Sequence, residues 1–133
     1  MKSVIASAIA AAALLGAGAP IAAELKEQIK VEIATSEHHA GMEPGTYVCA
    51  AGHLHVKANV QNNTDVAVGS VKVAGKALDA DGKVIGTATA STRQSVINPS
   101  ESAPIDMEFE TVTGSLIQKV KSEQLTVVSV NKR

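Results

Sequence analysis

Apolar and polar residues alternate through most of the chain, with a period of two. Ile29, Val31 and Ile33 face one way and Lys30 and Glu32 the other, within a segment Glu24–Thr35 that reads as a half-buried strand. Leu54, Val56, Ala58 and Val60 form the apolar face of a second strand, with His53, His55, Lys57 and Asn59 opposite. Val66–Ala80 repeats the pattern through Val71, Val73, Gly75 and Ala77, and Lys83–Arg93 is rich in β-branched residues. Pro104–Thr111 alternates strictly, with Ile105, Met107 and Phe109 against Asp106, Glu108 and Glu110, and Gln124–Val130 closes the series.

Between these runs lies turn chemistry. Gly41, Pro44 and Gly45 mark 36–45 as a loop, and Gly52 breaks or bulges the run that begins at Thr46. Asn62-Asn63-Thr64-Asp65 and Asn98-Pro99-Ser100 read as turns, and Asp79-Ala80-Asp81-Gly82 is the clearest hairpin signal. Val112–Lys121 has room for one short helical turn. The sum is six or seven short antiparallel strands without crossover helices, which predicts an all-β sandwich and excludes a parallel α/β sheet.

Residues 1–23 break the pattern. Lys2 precedes an Ala-rich apolar run, Val4–Leu15, and a small-residue stretch ending at Ala23. This is the layout of a cleaved, bacterial-type signal peptide, with cleavage expected between Ala23 and Glu24. Residues 24–133 are then one exported domain, periplasmic or secreted, with no membrane span in the mature chain. The 133 residues carry 12 Lys+Arg and 13 Asp+Glu, a balance that argues against a nucleic-acid binder. The 45% apolar content argues against disorder, and the single Cys49 rules out an intramolecular disulfide framework.

From Leu54 to Val130 the chain resembles the FxLYD family of small extracytoplasmic domains. The residues that carry the likeness are Val60–Asp65, Val71-Lys72-Val73, Leu78–Gly86 and Ile97–Ile105. The resemblance implies an immunoglobulin-like β-sandwich acting as a binding or accessory module, without a catalytic site to transfer. Aligning Asp79 with the family's final Asp puts Gly75, Ala77 and Leu78 where the name pattern has Phe, Leu and Tyr. A buried Phe or Leu contributes about 1.5–3 kcal/mol, so other side chains are expected to fill that space.

Candidate chemistry concentrates in one window. All four histidines, His38, His39, His53 and His55, lie there with Met42 and Cys49. His53 and His55 stand at i and i+2 and share a strand face, and the loop bearing His38 and His39 can fold toward them. Imidazole suits Cu(II) and Zn(II), and thioether or thiolate suits Cu(I), so copper, and less so zinc, is the ion expected if the cluster binds one. The competing expectation is solvated histidines on a non-catalytic module that binds a protein partner and needs no cofactor. Neither CxxC nor HExxH spacing is present. Cys49 reads as a buried apolar residue beside Tyr47 and Ala51, as a disulfide partner joining two copies, or as a nucleophile with His53 or His55 as base. The first of these is favoured. Asp106, Glu108 and Glu110 read as a solvated face.

Overall fold

A computed structural model describes residues 22–132; the expected leader falls almost wholly outside them. A short helix α1 (Ala22–Glu27) leads into β1 (Ile29–Ile33), β2 (Thr46–Val48), β3 (His53–Asn62), β4 (Val68–Leu78), β5 (Val84–Ser91) and β6 (Ser102–Thr113). A one-turn helix α2 (Ser115–Lys119) then joins β6 to β7 (Ser122–Lys132). The chain is all-β, with seven strands in two antiparallel sheets among the described residues.

In the first sheet β3 is central. β6 pairs along one side of it, while β1 and β2 lie end to end along the other. β1 takes Ala58–Asn62 and β2 takes Leu54–Val56. Lys57 bridges the two by donating its N–H to Gly45 and accepting from the N–H of Ala34. Gly45 sits at φ 85° with Ile33 pressed against it, so the chain re-enters the edge only through a residue without Cβ. The second sheet has the order β5-β4-β7.

The predicted faces meet between the sheets. Leu54, Val56 and Val60 of β3 and Met107 and Phe109 of β6 are buried against Val71 and Val73 of β4. Side chains reach across at Gly75: a Cβ there would run into Met107 Sδ and lie against Leu125 and Phe109. The space beside Gly75 is thus filled by Met107 and Phe109 from the opposite sheet and by Leu125 from the neighbouring strand β7. The Asp79–Gly82 turn forms as read, with Gly82 at φ 82° and Asp79 Oδ1 accepting from the N–H groups of Asp81 and Lys83.

Two local expectations change. Residues 24–27 are helical, because Leu25 buries against the core as part of a single turn rather than alternating along a strand. Asn62 ends β3 fully buried and organises the following turn: its amide donates to the carbonyls of Val66 and Ile97, and its Oδ1 accepts from Thr64 N–H and Oγ1–H.

Candidate metal centre

The outer face of the first sheet carries the histidines, and strand register decides what they meet. Tyr47 lies opposite His55, and His55 opposite Glu108; Lys57 lies opposite Asp106. The register shifts between His53 and Leu54, where β3 leaves the β2–β3 turn. Each imidazole reaches diagonally across to β6. His53 Nδ1–H donates to Glu108 Oε2, and His55 Nδ1 stands 2.7 Å from Asp106 Oδ1. His55 Nε2 is 3.8 Å from Glu108 Oε2, too far for a hydrogen bond, and it is a buried nitrogen with no partner.

Cys49 occupies the turn, not a strand. Its N–H donates to His53 O and its carbonyl accepts from Gly52 N–H, with Gly52 at φ 86°. The expected burial of Cys49 beside Tyr47 and Ala51 is therefore corrected: the positive φ of Gly52 closes a tight turn, and the thiol is left half-exposed beside His55. Ligand atoms of Cys49, His55 and Glu108 all lie within 4.8 Å of one another.

The electrostatics suit a charged cluster. Hydrogen bonding from the backbone of His53, then that of Ala51, lowers the Cys49 thiol from its ordinary value despite partial desolvation, and the nearby His55 ring acts in the same direction. The Glu108 carboxylate raises His53. Desolvation pulls His55 down, but Asp106 and Cys49 outweigh it and the net direction is up. Tyr47 donates its hydroxyl to Asp106 Oδ2 at 2.5 Å; burial, then Asp106, pushes it up to about 12. The Tyr47 ring stacks on His55, with centroids 4.7 Å apart.

Of the six candidates read from the sequence, His53, His55 and Cys49 come together here. His39 stands at the margin, its ring 5.8 Å from that of Tyr47. His38 is exposed in the loop. Met42 packs against the core and lines a separate cleft with Glu43 and Thr46, so its thioether does not join the cluster. Asp106 and Glu108, which the sequence presents as a solvated face, and Tyr47, which it presents only as a neighbour of Cys49, also belong to the cluster. Their signal is a matched pair of i, i+2 patterns, two histidines on one strand and two carboxylates on another. Comparison with known proteins assigns no family: no family model, no curated protein and no solved structure matches the chain.

Proposed function

We propose that this chain is an exported β-sandwich module that binds one transition-metal ion through Cys49, His55 and Glu108, with His53 alongside. The observation that carries the reading is the unpartnered, buried His55 Nε2 facing a carboxylate and a thiol whose pKa is lowered. A buried imidazole nitrogen without a partner is costly, and an ion would satisfy it. Metal–ligand bonds of about 2.0–2.3 Å need donor atoms within roughly 4.6 Å of one another, close to the spacing found. Thiolate, imidazole and carboxylate together favour a borderline ion, Cu(II) or Zn(II), over Cu(I), which prefers softer sulfur sets. The Ala-rich leader supports export, and two antiparallel sheets closed over one core support a β-sandwich of the immunoglobulin-like kind.

Titration of the purified, reduced protein with Zn(II) and Cu(II), and with Co(II) as an optical probe, tests the reading. One ion should bind per chain, with a sulfur-to-cobalt charge-transfer band. Cys49→Ser and His55→Ala should each weaken binding by about 100-fold or more, while His38→Ala and Met42→Leu leave it unchanged. Absence of binding, or binding untouched in Cys49→Ser and His55→Ala, overturns the proposal in favour of a module that recognises a protein partner.

A further inference from the structure

We infer that Asp106 and Tyr47 are positioning residues of this centre, which fix the nitrogen that His55 presents to the ion. The inference rests on the metal-binding reading and assigns a division of labour to the two carboxylates of β6.

His55 Nδ1 is held 2.7 Å from Asp106 Oδ1 and 3.1 Å from the Tyr47 hydroxyl. An ionised carboxylate only accepts hydrogen bonds, so this contact requires the hydrogen on Nδ1. In the neutral ring the lone pair then resides on Nε2, the buried atom without a partner. Tyr47 spends its own hydrogen on Asp106 Oδ2, so it does not compete as a donor to Nδ1. Asp106 therefore receives two hydrogen bonds, which hold its carboxylate in one plane.

Rotation of the imidazole is opposed as well. Tyr47 stacks on the ring with 28° between the planes, and Lys57 Nζ lies 5.4 Å from the Tyr47 centroid. Lys57 is itself engaged with Glu37 at 3.2 Å, which leaves Asp106 to His55 and Tyr47. Glu108 stands on the other side, 3.8 Å from Nε2. One carboxylate thus orients the ligand, and its neighbour two residues on faces the ion. Outer groups that hold a ligating histidine in this way contribute about 10–100-fold to metal affinity.

The test combines two readouts on the full chain. Long-range proton–nitrogen NMR of the metal-free protein at pH 8 reads the His55 tautomer, and competition with a chelating dye reads Zn(II) affinity. The wild type should carry the hydrogen on Nδ1. Asp106→Ala should move it to Nε2 and weaken Zn(II) binding about 10–100-fold. Asp106→Asn retains an oxygen that accepts from Nδ1, so it should restore both the tautomer and most of the affinity. Tyr47→Phe should weaken binding by less than Asp106→Ala. Asp106 is exposed, and circular dichroism confirms folding of each variant. A wild-type His55 protonated on Nε2, or Asp106→Ala that binds Zn(II) as tightly as wild type, overturns the positioning role. Failure of the wild type itself to bind Zn(II) overturns the metal reading instead.

Discussion

Asn62 shows how much of the fold depends on one polar side chain. It makes four hydrogen bonds in a fully buried position, tying the end of β3 to the turn 63–66 and to Ile97 before β6. Asn62→Ala removes the acceptor for Thr64 N–H and should lower unfolding free energy by about 2–3 kcal/mol in urea denaturation. Asn62→Asp should cost more at pH 7, because a carboxylate would face the Val66 and Ile97 carbonyls, and should recover in part in acid as a protonated carboxyl regains a donor. The run Asn62–Asp65 is legible as a turn from its short polar residues. That Asn62 is buried is not, since its partner Ile97 is far away in sequence and the contact depends on tertiary closure.

At the scale of elements, Gly75 is the telling position. Met107 and Phe109 of β6 reach across the core to β4 there and occupy the space a side chain would need. Gly75→Ala should destabilise by about 1–3 kcal/mol through overpacking. Combining it with Met107→Ala should cost less than the two changes added, because the truncated methionine vacates that space; a double-mutant cycle in denaturant checks the coupling. The faces of β3, β4 and β6 were readable because strict alternation admits only one inward set. The helix over Ala22–Glu27 was not, since a single turn leaves too short a run to show helical periodicity beside the alternation of Ile29–Ile33. The site was half legible. His53 and His55 declare a common face by their spacing, whereas Asp106 and Glu108 join them only through the β3–β6 register, which alternation within one strand cannot reveal. Cys49 was misplaced because Gly52 was read as interrupting a strand rather than closing a turn.

For the whole molecule, an acidic contact outside the histidine cluster contributes to the pH response. Glu123 at the start of β7 lies beside Glu43 of the β1–β2 loop in the lining of a cleft of about 540 Å³, and Glu123 Oε2 is buried without a partner. Burial, then Glu43, raises the Glu123 carboxyl from 4.5 to about 7. The folded state therefore holds this proton more tightly than the unfolded chain does. Between about pH 4.5 and pH 7 this group binds more protons folded than unfolded, so its contribution to stability falls as pH rises through that window and levels off above it, while the raised His53 and His55 add a loss of the same sign from about pH 6.5 upward. Thermal melts of metal-free protein should show this slope. Glu123→Gln should flatten it, with a higher Tm than wild type at pH 8.

If the cluster binds an ion as proposed, the arrangement of the first sheet ties that binding to folding. Cys49, His53 and His55 come from one hairpin, but Glu108 arrives on a strand more than fifty residues later. The unfolded chain holds these groups apart, and closing so long a loop costs entropy that sheet pairing must offset. An ion that needs both halves selects the state in which β6 has docked on β3, and mass action then favours that state by about 2.7 kcal/mol at a free concentration of 100 Kd. Occupancy and completion of the sheet become a single equilibrium, so the chain would act as its own gauge of how much free ion its surroundings contain.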